Sequence, residues 1–429
     1  MQLLKKLPWY EPLDIVPSLK DEQENWLFFY SGLKNDFTGD RSILAMKPGK
    51  QIRSSEFNEL AKALSCNKHE FENAWFGYLG YGLKNSLEKL SEDDEFYINM
   101  PDMHMLNFGL IMLFDHKKKE IEVWADSEEL LQYVPNPTRP VALGHTISDI
   151  SSNMTNSEYL QKVGIIKDGI YKGDLYQANL TRKFFGKITD ASPVDIFTKL
   201  CDISPAPYSA ILKLDDKYII SSSPERFIHV SSNGEVDTRP IKGSAPRFED
   251  KQKDQESKQQ LQDSEKDRAE NLMIVDLSRN DISRHCEEGS VKVDKLFEVT
   301  SYATVHHMAS TVKGTKNTDS NTIDLIKGCF PPGSMTGAPK IMAMNLCSEL
   351  EKVTRGVYSG AIGWFGGDAS ADLSVVIRTI IIDGDKFEFQ VGGAIVADSC
   401  PQNEFEETIV KARAICTALG IDTDKIKEL

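Results

Sequence analysis

Alternation of apolar and polar positions runs through long parts of this chain. Residues 109 to 125, GLIMLFDHKKKEIEVWA, alternate on both sides of a polar turn and predict an antiparallel hairpin. The signature recurs. Residues 209 to 230 place two apolar runs around Asp215-Asp216, Asn233-Gly234 follows as a second turn, and Asp383-Gly384 joins VVIRTIII to FEFQV. Hairpins in place of regular strand and helix alternation predict large antiparallel sheets with helices added, an α+β fold.

Helical periodicity appears in two places. Thr155 and Glu158 have capping-box spacing, and Tyr159, Val163, Ile166 and Ile170 then fall on one face until Gly173-Asp174 stops the helix. Near the C-terminus, NEFEETIVKARAICTAL (403 to 419) aligns Phe405, Ile409, Ala412, Cys416 and Leu419 in one stripe. Between these, residues 248 to 269 are almost wholly polar and read as a solvated loop entering an exposed helix. The stretch from Pro135 through Pro137 and Pro140 to Ser152 reads as a linker.

Length and charge narrow the picture. At 429 residues the chain has room for two or three units or one large domain. Fifty basic against 65 acidic residues give a net charge of −15, which argues against nucleic acid and anionic membranes as general partners. No apolar run suits a signal peptide or a membrane span, so a cytoplasmic protein is expected. The seven cysteines are scattered without a C-x-x-C, as expected for reduced thiols rather than a disulfide frame or a zinc site.

Several groups could carry chemistry. Glu404, Glu407 and Lys411 cluster opposite the apolar stripe of the last helix, where periodicity alone favours a solvated, ion-paired face. The alternative is a ligand-facing set, and a hard cation such as Mg²⁺ needs carboxylates from more than one part of the chain. Glu270, in AENLMIVDLSRNDI, is a second source, while Asp276, Arg279, Asn280 and Asp281 read by default as a structural polar network. FPPGSMTGAPK (330 to 340) has the wrong glycine and lysine spacing for a nucleotide phosphate loop. As a tight turn of small residues it is instead suited to cradling another anion, such as a carboxylate, and VGGAIVADS (391 to 399) is a second turn of that kind. His306 and His307 alternate on a strand and point to opposite faces, and one of them is a candidate proton donor. In TRPIKGSAPR (238 to 247), Lys242 is a lone amine just after a strand.

PIKGS, ENLMIVDLSRNDI, TVHHMAS, FPPGSMTGAPK, RGVYSGAIGW, VVIRT and GGAIVADSCPQNEFEETIVKA, in this order and spacing, resemble the chorismate-utilising enzymes. The likeness runs from about Thr155 to Leu419 as the catalytic region. Residues 1 to 134 are similar to the family's N-terminal region more weakly, through WLFFYSG and WFGYLGYGL.

The resemblance implies a large α/β sandwich of two antiparallel sheets, the N-terminal region packed into it, holding chorismate and Mg²⁺ between them. Glu270 and Glu407 match the family's metal glutamates, with Glu404 acting through water. Tyr358, Arg378 and Lys411 match residues that hold the substrate's carboxylates, beside backbone N–H groups of Gly392, Gly393 and the Ser334 to Thr336 loop. His307 matches the histidine near the leaving C4 hydroxyl, and Glu225 a proton-moving glutamate. Family members that aminate C2 carry alanine at the position of Lys242, and those that aminate C4 carry lysine. The resemblance therefore implies amination of chorismate at C4 on the way to p-aminobenzoate and folate, through a Lys242 adduct at C2. Ammonia would come from solution or from a separate glutamine amidotransferase. Amination at C2 and a non-catalytic chorismate-binding subunit are the alternatives. Ser244, Phe248 and Ser283 depart from the family pattern, Ser244 keeping the hydroxyl of the usual threonine.

Overall fold

The computed structural model describes residues 1–429 apart from 21, 34–38, 65–68, 91–95, 139–143 and 303–304. Cys66 and Pro140 lie outside the described residues. Among the described residues twenty strands join in one continuous hydrogen-bonded network, and every ladder is antiparallel. The predicted hairpins are present at Met103–Asp115 with Glu120–Ala125, Tyr208–Leu214 with Lys217–Ser223, Arg226–Val230 with Glu235–Arg239, and Thr379–Asp383 with Lys386–Ile395.

The network has two arms that share Met103–Asp115. One arm continues through Arg41–Ser54, Trp26–Tyr30, the hairpin of residues 208–223, Thr379–Asp383 and Lys386–Ile395 to Gln177–Thr189. The other continues through Trp75–Leu79, Ala361–Phe365, Ala371–Val375, Arg226–Val230 and Glu235–Arg239 to Val305–Thr315, which carries Ile241–Pro246 and Lys292–Ser301. Alternation along each strand decides what fills the space around them. Leu27, Ile43, Leu212 and Ile219 of the first arm meet Phe76, Tyr78, Ile362 and Trp364 of the second in one buried cluster. The neighbours Phe28, Leu44, Ile211 and Ile220 face the opposite way, onto a cluster with helices Asn156–Lys172, Pro193–Ile203 and Pro401–Leu419. The outer face of the second arm is covered by helices Glu265–Ser283 and Thr322–Cys329. Each large apolar side chain removed from water in this way contributes roughly 1.5–3 kcal/mol.

Local signals account for the helix ends. Thr155 accepts from the Glu158 amide while Glu158 accepts from the Thr155 amide at 2.7 Å, and the helix closes on Gly173 at φ 85°. The expected linker is only partly one. Thr146–Ser152 is a strand on the outside of Gln177–Thr189, where it satisfies backbone groups that an open sheet edge would expose. The polar stretch is helical rather than looped, as Lys251–Asp263 followed by Glu265–Ser283, with Asp250 and Ser264 as N-caps. The six described cysteines are unpaired. Among the described residues no helix is long and apolar enough to cross a membrane.

Candidate active site

At two adjacent places a short link of two or three residues carries the chain from one arm to the other, and both links carry predicted site residues. Glu225 lies between Lys217–Ser223 and Arg226–Val230, and Arg378 between Ala371–Val375 and Thr379–Asp383. The crossings are tied to neighbouring strands: the Val375 amide donates to Glu225 O at 3.0 Å, and the Ser222 amide to Arg378 O at 3.1 Å. Arg378 has φ 51°, a left-handed conformation that disfavours a side chain, so the surrounding hydrogen bonds hold a strained backbone there. Burial lowers its guanidinium pKa, and among the described residues no carboxylate forms an ion pair with it. A half-buried, unneutralised guanidinium suits an anionic ligand.

Glu225 is 5% exposed, and burial raises its carboxyl pKa against the opposing pull of Lys242 and the Ser334 hydroxyl. Lys242 sits on Ile241–Pro246, half-buried. Burial, and then the Lys411 ammonium, push its pKa down, while Glu225, Glu270 and Glu407 pull it up less strongly. Gly243 reaches φ 83°, and a Cβ there would meet Asp267 Oδ1 at 2.9 Å, so this strand runs close against the helix that carries Glu270. Ser244, the next residue, bonds through its hydroxyl to His307 Nδ1 at 2.7 Å.

His307 is the histidine expected near the leaving hydroxyl. Burial, followed by the nearby Arg378 charge, pushes its pKa down to about 3. That direction favours the neutral ring near pH 7, whose single N–H has the Gly243 backbone and the Ser244 hydroxyl as neighbouring partners. His306 points away, to Asp254 Oδ1 at 3.1 Å and Ser301 Oγ at 2.9 Å, in a structural network.

The last helix also differs from a simple solvated face. Glu404 is 3% exposed and accepts from the Ser399 hydroxyl at 2.7 Å, and burial raises its pKa. Glu407 is 45% exposed, and the desolvation it does undergo, which would raise its pKa, is outweighed together by the ammonium groups of Lys411, at 2.6 Å, Lys242 and Lys266, which hold the carboxylate below its ordinary range. Lys411 further donates to Gly392 O at 2.8 Å, locking the helix to Lys386–Ile395. Glu270 approaches from the other helix, with burial raising its pKa.

The small-residue loop is braced from beneath. Arg355 donates to Met335 O and Asn179 O at 2.7 Å each and to both oxygens of Glu351, at 2.9 and 2.7 Å. That fixes the turn whose Ser334 and Thr336 were predicted site residues, and Ser334 reaches Glu225. Lys340 clamps the same turn from Asp281, Cys329 O and Pro331 O at 2.8, 3.1 and 3.2 Å. Asp281 is thus part of a structural network, as expected, while Asp276 and Arg279 form an exposed pair at 2.9 Å. Tyr358 lies in the apolar cluster with Phe227, Phe330 and Met335, and its charged neighbours are Arg355 and Glu351. Arg355 escaped the sequence reading although its i,i+4 spacing from Glu351 was available.

Among the described residues no three His, Cys, Asp or Glu side chains converge tightly enough to form a closed metal cage. The donor set nevertheless fits a hard cation that keeps waters and a ligand carboxylate. A Cβ at Gly393 would stand 3.2 Å from Glu404 Oε2 and 3.7 Å from Glu407 Oε1, so glycine keeps the space beside both carboxylates open. Lysine ammonium groups already lie against these carboxylates, at 2.6 Å for Glu407 and 3.9 Å for Glu404, which shows where positive charge is stabilised.

A two-armed antiparallel fold with this cluster at its crossings defines a class. The chain belongs to the chorismate binding enzyme family, whose model matches residues 20–417. It is 38% identical over 367 residues to aminodeoxychorismate synthase of Streptomyces griseus, covering 81% of this chain and 50% of that protein. It is 37% identical to aminodeoxychorismate synthase component 1 of Salmonella typhimurium, covering 80% of this chain and 76% of that one. The chain therefore spans about half the length of the Streptomyces relative and about three quarters of the Salmonella one. Among solved structures it is similar to anthranilate synthase component I from Streptococcus pneumoniae, with TM-score 0.79, 32% identity, and coverage of 89% of this chain and 93% of that chain.

Proposed function

We propose that the protein aminates chorismate at C4 to give 4-amino-4-deoxychorismate, a step toward p-aminobenzoate, with Lys242 as nucleophile. The observation that carries this reading is Lys242 itself, a half-buried amine with depressed pKa set among Glu225, Glu270 and Glu407. The names of relatives such as those of Streptomyces and Salmonella support it.

Each residue then has a task. Lys242 Nζ, in its neutral form, bonds to ring C2 as the C4–oxygen bond breaks and the intervening double bond shifts. The proton that the attacking nitrogen must lose passes to Glu225, whose raised pKa suits it to take up and return a proton. The departing oxygen, beside the neutral His307 ring that Ser244 holds, takes from Glu225 the proton that the lysine gave up and leaves as water. Ammonia next bonds to C4 and gives one proton to Glu225, the double bond shifts back, and the C2–nitrogen bond breaks as Lys242 Nζ takes that proton and is restored as the amine. The sum is chorismate plus ammonia giving the amine plus water. Arg378 and Lys411 bind the substrate's carboxylates, assisted by N–H groups of Gly392, Gly393 and the Ser334–Thr336 turn, with Tyr358 lining the floor. Glu270 and Glu407, backed by Glu404, would hold Mg²⁺, which when bound neutralises the ring carboxylate in a site of low dielectric.

We further infer that the ammonia is made by a separate glutamine amidotransferase, since the Salmonella relative is named as one component of its synthase. A second reading is amination at C2, favoured by a 34% identical relative named anthranilate synthase component 1 in Saccharolobus solfataricus. Purified protein with chorismate, Mg²⁺ and ammonium at mildly alkaline pH separates the two. An amine at C4 with the enolpyruvyl group retained, read by mass spectrometry and NMR, is expected. Anthranilate with free pyruvate would refute the proposal. Lys242→Ala should remove the C4 product, and its formation at the parent rate would exclude the lysine from the chemistry.

A further inference from the structure

Glu270 and Glu404 come from different helices, and one side chain reaches both. Lys266, in the first turn of Glu265–Ser283, places its ammonium 3.8 Å from Glu270 Oε1 and 3.9 Å from Glu404 Oε1. Lys266 is 57% exposed while the two carboxylates are 15% and 3% exposed, so the cation enters from solvent onto a largely buried acidic pair. Both separations are too long for a hydrogen bond. The contrast with Lys411 is informative. That ammonium has two short contacts, to Glu407 at 2.6 Å and Gly392 O at 2.8 Å, and is clamped. Lys266 is held by charge alone, on a flexible stem with open solvent beside it.

We propose that Lys266 is a tethered counter-cation, bridging Glu270 and Glu404 in the metal-free protein and turning out to solvent when a divalent ion binds. The proposal rests on the reading of Glu270 and Glu407 as metal ligands. Without the bridge, Glu270, Glu404 and Glu407 would repel one another across the two helices. With it, the carboxylates stay in place for an incoming ion, and the ion must first drive off a like charge. Lys266 thereby trades metal affinity for a site that is already assembled.

The test is Mg²⁺ binding by titration calorimetry and Mn²⁺ binding by electron paramagnetic resonance, at low ionic strength, with and without chorismate. Lys266→Met is expected to bind either ion roughly three- to tenfold more tightly, since one unit charge at about 4 Å is removed in a partly solvated site. Lys266→Arg, which keeps the charge, should bind like the parent. In chelator the methionine variant should also melt below the parent, and Mg²⁺ should raise its melting temperature by more. Equal or weaker metal binding by Lys266→Met, with normal binding by the parent, overturns the counter-cation alone. Absence of Mg²⁺ and Mn²⁺ binding by the parent, with chorismate present, overturns the metal reading and the proposal together.

Discussion

Arg355→Leu tests whether the loop at the site is held from beneath by a buried charge pair. Arg355 is 3% exposed and Glu351 2%. Leucine removes the guanidinium's bonds to Glu351, Met335 O and Asn179 O, and leaves the Glu351 carboxylate buried with the Thr181 amide as donor at 2.9 Å. Breaking a buried pair from one side costs about 3–5 kcal/mol, because the remaining charge is neither paired nor hydrated. With an unfolding entropy of about 2.1 cal/mol/K per residue, that corresponds to a fall in Tm of roughly 3–6 °C. Removing Glu351 as well relieves the stranded charge but still leaves two carbonyls without their donor. The double variant should therefore lose less than the two single variants summed, by about 1–3 kcal/mol. Scanning calorimetry of the native protein, both single variants and the double closes this cycle. KM for substrate should rise in Arg355→Leu more than kcat falls, since Met335 lies between Ser334 and Thr336. A single variant that melts within a degree of the parent, or single variants whose costs simply add, would refute the argument.

Other outcomes follow from the geometry. An unfolded histidine takes a proton near pH 6.5, whereas folded His307 does so only near pH 3. The unfolded chain thus binds the extra proton first, and this group costs stability as pH falls through that window. His307→Gln should be relieved of roughly 2 kcal/mol of the stability lost between pH 7 and 5, measured by urea unfolding, and an identical pH slope in both proteins would contradict the neutral ring. Gly393→Ala should leave Tm within about a degree yet require roughly tenfold more Mg²⁺ for half-maximal rate, because its Cβ enters the space beside Glu404 and Glu407. An unchanged Mg²⁺ dependence would move the ion elsewhere.

The parts of the fold that could be read from the sequence are those encoded over short spans. Asp215-Asp216, Asn233-Gly234 and Asp383-Gly384 turn where expected because turn chemistry is local, and the Thr155–Glu158 box closes within one helical turn. Thr146–Ser152 was misread because its polar residues satisfy an edge strand as readily as a linker, and only its pairing with Gln177–Thr189 decides between them. Within the site, the residue types were legible and their protonation was not. His307 looked like an ordinary imidazole until burial and Arg378 set its charge. Glu404 looked solvated because a helical wheel gives direction but not what stands opposite. Lys183 and Glu388, which pair at 2.9 Å with 2% and 4% exposure, give no hint in sequence of an interior salt bridge 205 residues apart.

The two crossings between the arms make the centre a seam between two leaves. Glu225 and Arg378 belong to the joints, whereas Lys242 and His307 ride on one leaf and Gly392 and Gly393 on the other. Sliding one leaf against its neighbour by a fraction of an ångström would change the spacing between Lys242 and the Gly392-Gly393 turn without altering either. The interleaf contacts of Phe76, Ile362 and Trp364 with Leu212 and Ile219 set that alignment. The spacing across the seam is therefore open to tuning from positions deep between the leaves, where a change of one methylene acts as a shim.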